Sequence, residues 1–134
     1  MAATVGWLAV TLPALAFFAE AENVGANAFS TATLAAPSGL VADASCDGTN
    51  KAKSVLTWTA TGSTFADGYD ILRGMQNGGP YNEVGHVDGR TTTTYNDTNL
   101  SVNTTYYWVV RATASQWESA SSNQDSERTP ALCL

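Results

Sequence analysis

Residues 105–113 read TYYWVVRAT, a run of aromatic and β-branched residues without glycine or proline. Such residues fit the pleated surface of a β-strand, and successive side chains of a strand point to opposite faces of its sheet. Tyr106, Trp108, Val110 and Ala112 therefore share one face. Because this face is apolar along its whole length, we predict a strand that packs against a second layer of structure.

The same kind of pattern recurs between Pro37 and Pro130. Short alternating apolar runs are separated by clusters of Gly, Asn, Asp and Ser, which is typical of an all-β sandwich. No stretch after Pro37 has helical periodicity. We predict seven strands in two packed sheets, at residues 37–42, 54–59, 68–73, 81–87, 92–97, 105–113 and 121–129.

The inward faces of these strands define a predicted core. Leu56 and Trp58 share one face of the second strand, and Tyr69 and Ile71 share one face of the third. We expect these faces to meet between the two sheets. The core residues predicted from these faces are Leu56, Trp58, Tyr69, Ile71, Tyr106, Trp108 and Val110.

Four motifs, in their order along residues 37–130, are similar to the fibronectin type III family. They are P-x-G-L-x-A at 37–42, V-L-x-W at 55–58, G-Y-x-I-x-R at 68–73 and L-x-x-x-T-x-Y-x-x-x-V-x-A at 100–112. The resemblance implies a seven-stranded, antiparallel, immunoglobulin-like sandwich over residues 37–130. It also implies a tyrosine corner, in which Leu100 lies beneath Tyr106 and the tyrosine hydroxyl bonds to upstream backbone.

The chain has two cysteines, Cys46 and Cys133. Cys46 comes after the first predicted strand, and Cys133 lies in a tail, residues 131–134, after the last. In a seven-stranded sandwich of this type both positions fall at the same pole. We therefore predict a Cys46–Cys133 disulfide, which would persist in an oxidising compartment.

Composition excludes several classes of function. Acidic residues outnumber basic residues twelve to six, and the net charge is −6. Proteins that bind nucleic acids or anionic membranes need clustered Lys and Arg, so we expect neither partner. His86 is the single histidine, and we interpret it, like Asp67 and Asp70, as a solvated surface residue. A hydrolytic triad or a zinc site needs more ligands than this. We expect no enzyme activity, no cofactor and no metal.

The N-terminus carries an apolar run at residues 5–18, VGWLAVTLPALAFF. A spanning helix needs about 20 apolar residues. The shorter run suits a signal peptide, and Ala14-Leu15-Ala16 supplies a cleavage pattern. We expect residues 1–16 to be such a segment, in transient contact with the membrane, with the true start upstream of Met1 because no basic residue precedes the run. A buried N-terminal helix is the alternative.

The next segment, residues 17–36, carries a second resemblance. AFF-A-E at 16–20 and N-A-F-S-T-A-T-L at 27–34 resemble the export signal of camelysin-type and biofilm-matrix fibre proteins of Gram-positive bacteria. Ala19 and Ala32 depart from the pattern, in place of a hydroxyl residue and a glycine. The resemblance implies a secreted or cell-surface bacterial protein whose N-terminal segment adds as a strand to another subunit. A simple linker is the alternative.

Binding is the activity that the sequence favours. Alternation places Leu72, Tyr107, Val109 and Arg111 outward on one sheet face, where an apolar patch indicates an interface. Trp117 falls in the loop before the last strand, and an aromatic is not needed there for a turn. Alternatively, the N-terminal segment covers the patch and Trp117 folds onto its own domain.

Two functions follow from this candidate interface. The first is a structural or adhesion module that contacts proteins or assembles with itself, for example as a fibre or surface-matrix subunit. The second is an accessory module related to those of polysaccharide-degrading enzymes, which binds a glycan through Trp117.

Overall fold

The computed structural model describes residues 32–134. The predicted signal segment, residues 1–16, and most of the predicted assembly segment lie outside this range. No helix within the range is long and apolar enough to cross a membrane. Eight strands follow one another along it: β1 Ser38–Cys46, β2 Lys51–Thr59, β3 Gly68–Gly74, β4 Tyr81–Asp88, β5 Thr94–Ser101, β6 Thr105–Ala114, β7 Trp117–Glu118 and β8 Asp125–Arg128.

The strands form two antiparallel sheets. One sheet has the order β1-β2-β5, and the other has the order β4-β3-β6, with both β7 and β8 pairing with β6. The predicted all-β, antiparallel sandwich is therefore confirmed. One structural unit runs from Thr33 to Leu134, and the domain boundaries drawn from the sequence stay predictions.

Eight strands replace the predicted seven because the short strand β7, Trp117–Glu118, forms inside the predicted loop, while the predicted last strand, 121–129, is paired as β8 only over Asp125–Arg128. Between β7 and β8, the backbone N–H groups of Ser119 and Ser122 still donate to the carbonyls of Ala112 and Val110 on β6, at 2.9 and 2.8 Å. The N–H groups of Ala112 and Val110, however, donate to the hydroxyls of Ser119 and Ser122, at 2.9 and 3.0 Å. In a regular ladder backbone carbonyls would accept these bonds, so the chain here follows β6 without forming a continuous strand.

The first hairpin is longer than predicted. β1 continues to Cys46 and β2 begins at Lys51, so Cys46 is the last residue of a strand. Asn50 occupies the turn with φ of +57°, a left-handed conformation that asparagine tolerates better than most residues. The tight turn lets the two strands pair up to Cys46, opposite Ala52.

The core lies between the two sheets. Trp58 meets Tyr69 edge-on, with ring centroids 5.4 Å apart, a geometry that aromatic pairs prefer. The largest fully buried side chain among the described residues is that of Trp108, at 0% exposure. All eight predicted core residues are buried in this layer: Leu56, Trp58, Tyr69, Ile71, Leu100, Tyr106, Trp108 and Val110.

The tyrosine corner implied by the resemblance is present. The Tyr106 hydroxyl accepts a hydrogen bond from the backbone N–H of Ser101 at 3.1 Å. Leu100, beside it in the chain, is buried at 2% exposure. The bond joins the end of β5 to β6, and therefore ties one sheet to the other.

A buried ion pair also crosses between the sheets. Asp97 on β5 is 4% exposed, and both of its carboxylate oxygens accept from one guanidinium nitrogen of Arg73 on β3, at 2.8 and 2.9 Å. The indole N–H of Trp108 on β6 donates to the same carboxylate at 2.8 Å. Three strands thus converge on one buried charge.

Candidate functional site

The outer face of the β3–β6 sheet differs from the prediction. Leu72 and Val109 do alternate away from the core, since their neighbours Ile71 and Val110 lie in it. Their exposed fractions, however, are only 9% and 3%. The prediction of an accessible apolar patch at these two residues is therefore wrong.

A bridge of hydrogen bonds made by Gln124 explains part of the low exposure of Val109. Gln124 precedes β8 on one side of the sheet. Its side-chain amide oxygen accepts a hydrogen bond from the hydroxyl of Tyr81, which lies on β4 at the other side of the sheet. The same amide also accepts from the Gly78 N–H at 2.8 Å and donates to the Asn77 side chain at 2.7 Å. Because β3 and β6 lie between these partners, the bridge passes over the face that carries Val109.

The other two predicted interface residues are half-buried. Tyr107 lies opposite Gly74 on β3. Arg111 is held by two neighbours, since its guanidinium donates to the Ser121 hydroxyl at 3.1 Å and to Glu118 at 3.2 Å. This face is therefore closed by its own side chains, and an incoming partner would have to displace them.

Trp117 has a different setting. It is 60% exposed and pairs with Ala114 at the tip of the β6–β7 hairpin. Phe65, in the loop between β2 and β3, is 46% exposed. Both line an open depression of about 480 Å³, here called the aromatic pole; its residues are Phe65, Asp67, Ala114, Ser115, Gln116 and Trp117.

Asp67 holds the two loops of the aromatic pole together. Its carboxylate accepts from the backbone N–H of Ser115 at 2.5 Å and from the Thr113 hydroxyl at 2.9 Å. These bonds lower the pKa of the Asp67 carboxyl below its ordinary value of 3.8. Ser115 has φ of +59°, so the carboxylate secures a turn that few residues adopt unaided. Asp67 therefore positions the turn at Ser115, a role that its interpretation as a solvated surface residue did not include.

The disulfide lies at the other end of the sandwich. Cys46 and Cys133 are joined, with Cα atoms 5.5 Å apart and a sequence separation of 87 positions, so the predicted bridge is confirmed. Cys133 is 1% exposed, and its carbonyl accepts from the Asn50 N–H at 2.9 Å. The neighbouring Leu132 and Leu134 are exposed. We call this end, Pro130–Leu134 with the β1–β2 turn, the disulfide pole.

Comparison with solved structures identifies the fold family. A crystal structure of an Fn3-like protein from Clostridium thermocellum is 31% identical to this chain, matches 77% of it over 100% of its own length, and has a TM-score of 0.60. The chain belongs to the fibronectin type III-like family. Membership indicates a protein-interaction or structural module. No protein-family model and no curated protein matches the chain.

Other solved structures, among them a fibronectin type III domain, share the fold at lower identity. A domain of human collagen XX is 24% identical, matches 72% of the chain over 93% of its own length, and has a TM-score of 0.54. Domains from titin are 22% identical and match 73% of the chain over 32% of their own length, with a TM-score of 0.59. The resemblance drawn from the four motifs is thereby confirmed for the type III domain, while the resemblance of the export signal stays a prediction.

A cluster of one histidine and two aspartates lies on the edge strand β4 of this type III domain. His86 on β4 places Nδ1 2.6 Å from Asp70 and Nε2 3.3 Å from Asp88. The hydrogen bond to Asp70, followed by the charges of both carboxylates, raises the pKa of His86 above its ordinary 6.5. His86 and Asp70 are therefore partners. Among residues 32–134, no three His, Cys, Asp or Glu side chains are grouped to hold a metal ion.

The cluster predicts a pH dependence of stability. Because the pKa of His86 is raised in the folded state, its contact with the carboxylates stabilises the fold fully below pH 6.5, the ordinary pKa of histidine. This stabilisation is lost as pH rises through the pKa of the folded state. Asp70→Asn should therefore destabilise the domain more below pH 6.5 than well above the raised pKa. Urea unfolding at both pH values measures this. His86→Gln, the control, should remove the difference, and an unchanged NMR titration of His86 in Asp70→Asn would contradict the assignment.

Phe65 and Asp97 are important residues that the sequence analysis missed. Phe65 directly follows the polar stretch Thr61–Thr64, at a point in the loop where an aromatic has no turn-forming role, so a sequence signal did exist. Asp97 had an indirect signal, because Arg73 shares the inward face of β3 with Ile71 and a charge on that face requires a partner. Which carboxylate it meets depends on how the two sheets are stacked.

Proposed function

We propose that this chain is a non-catalytic, secreted or cell-surface module that makes structural or adhesive protein contacts through the aromatic pole. The observation that carries the proposal is the pair of exposed aromatics, Trp117 and Phe65, on loops that Asp67 holds in place. Aromatic side chains on a preorganised surface are typical binding hot spots, because little conformational entropy is lost when a partner docks.

The disulfide supports an extracellular location. Cys46 is exposed, and exposed disulfides are reduced in most cytosols but persist in oxidising compartments. The export signal expected at residues 1–16 agrees with this. A role as a fibre or surface-matrix subunit of a bacterium follows from the resemblance of residues 17–36 to matrix fibre proteins.

Surface retention tests the proposal. The full chain is expressed in a Gram-positive secretion host, and the cell-surface, medium and cytoplasmic fractions are compared. We expect an oxidised chain on the surface. Phe65→Ala/Trp117→Ala should be exported equally but released to the medium, because losing a hot spot of about 2 kcal/mol weakens binding roughly 30-fold.

Val41→Ala is the matched control, since Val41 is 55% exposed on β1, away from the aromatic pole. It should be retained as the wild type is. Equal retention of the double aromatic variant, with an unchanged unfolding midpoint, would contradict the proposed contact. A chain that stays in the cytoplasm with free thiols would contradict the proposed location.

A glycan is the second candidate ligand, favoured by the exposed Trp117 beside the Asp67 carboxylate. An aromatic face with a nearby fixed acceptor suits a sugar ring, which offers an apolar face and hydroxyl donors. Retardation in gels that contain soluble xylan or β-glucan, lost in Trp117→Ala, would favour this function. If protease treatment of the cells abolishes retention of the chain on their surface, the result would favour the protein partner.

A further inference from the structure

The aromatic pole and the disulfide pole are opposite ends of the domain. β6 begins at Thr105, which pairs with Arg128 shortly before the tail, and ends at Ala114, which pairs with Trp117. A strand of this length spans about 30 Å. Each molecule therefore presents two separate surfaces that face in opposite directions along the strand axis.

The disulfide pole exposes apolar side chains that are held in position. Leu132 is 61% exposed and Leu134 is 95% exposed. Between them, Cys133 is buried, bonded to Cys46 and hydrogen-bonded to Asn50. Leu132 lies between this cysteine and Pro130, whose carbonyl accepts from the Asn103 N–H at 2.8 Å. An apolar residue anchored on both sides in this way costs less conformational entropy to dock than one on a free tail.

The aromatic pole offers a matching concave surface. Its depression of about 480 Å³ is open to solvent and is lined by the apolar side chains of Phe65, Ala114 and Trp117 and by the polar residues Asp67, Ser115 and Gln116. Single exposed apolar residues are common on protein surfaces, but an apolar protrusion and an apolar recess on one molecule are complementary.

Charge is also complementary between the two poles. Lys51 and Arg128 lie at the disulfide pole, beside Lys53, which is 3.6 Å from Asp47. At the aromatic pole lie Asp67, the turn bonded to it, which carries Asp88 and Arg90, and Glu118, which is 3.2 Å from Arg111. Because some of these charges already have partners, their contribution is to the rate and orientation of encounter more than to affinity.

We propose that the aromatic pole binds the disulfide pole of a second copy of this chain, with Leu132 seated between Phe65 and Trp117. This contact is heterologous, so each bound copy still presents one free surface of each kind. Unless the rotation that relates each copy to the next closes a ring, repetition of the contact produces a linear filament. The proposal rests on the aromatic pole being a protein-binding surface, and it names the partner.

Complementary variants of the full chain test the contact. Trp117→Ser keeps the tail but loses the recess, and Leu132→Ser keeps the recess but loses the tail. Each variant alone should sediment as a monomer at concentrations where the wild type forms a series of oligomers. An equimolar mixture should form a dimer and stop there, because only one productive recess and one productive tail can meet.

Controls separate this inference from other outcomes. Met75→Ser removes an equally exposed apolar side chain, 59% exposed and outside both poles, and should assemble as the wild type does. Self-association of Leu132→Ser alone would overturn the proposal in favour of a contact between like poles. A monomeric wild type would also overturn it, yet surface retention that depends on Trp117 would still uphold the proposed function.

Discussion

Removal of the Cys46–Cys133 disulfide is expected to lower the free energy of unfolding by about 4 kcal/mol. The bond joins residues 87 apart, and cross-linking a loop of this size restricts the unfolded chain by about 4–5 kcal/mol in the chain-entropy model. It also fixes Cys133 in its buried position at the disulfide pole. Since a small domain has about 5–15 kcal/mol of stability in total, roughly a quarter to four fifths of it would thus depend on oxidation.

Cys46→Ala/Cys133→Ala is the variant that measures this effect by urea unfolding. Alanine avoids placing a new polar group at residue 133, which is 1% exposed. Reductant should shift the midpoint of the wild type towards that of the double variant and leave the double variant unchanged. Identical midpoints for the oxidised wild type and the double variant would show that the bridge adds no stability.

Replacement of Arg73 by methionine is expected to cost about 3–5 kcal/mol, the usual effect of removing one partner from a buried ion pair. Methionine keeps much of the aliphatic stem but leaves the carboxylate of Asp97 inside the sandwich. Asp97, 4% exposed, would then retain only the Trp108 indole N–H as a donor among the contacts described. The variant also removes the guanidinium that lies 5.2 Å from the centre of the Tyr106 ring.

A double-mutant cycle isolates the ion pair. Asp97→Asn should cost less than Arg73→Met, because a neutral amide oxygen can still accept from Trp108 and Arg73, whose side chain is 29% exposed, can reach water. The double variant should be more stable than Arg73→Met alone. Strictly additive costs in urea unfolding would show that the two side chains do not act as a pair.

Local pattern was sufficient to predict the core. Alternation along residues 105–113 and along the second and third strands assigns each side chain to a face, and seven of the eight core positions lie where it places them, whereas Leu100 was placed by the family resemblance. The disulfide followed from topology, because the first and last strands of this fold end at the same pole. Strand ends were less accurate: the predicted last strand, 121–129, is paired only over Asp125–Arg128, because the hydroxyls of Ser119 and Ser122 accept bonds from β6 that backbone carbonyls would accept in a regular ladder.

What the amino-acid sequence determined by itself is which residues face inward, since a strand has a period of two whatever its neighbours are. The tertiary structure decided how distant segments meet: that Gln124 bridges over Val109, that Arg73 finds Asp97, and that Phe65 stands beside Trp117. These contacts depend on strand register and sheet stacking, which no local pattern encodes. The candidate binding surface therefore moved from the sheet face to the aromatic pole.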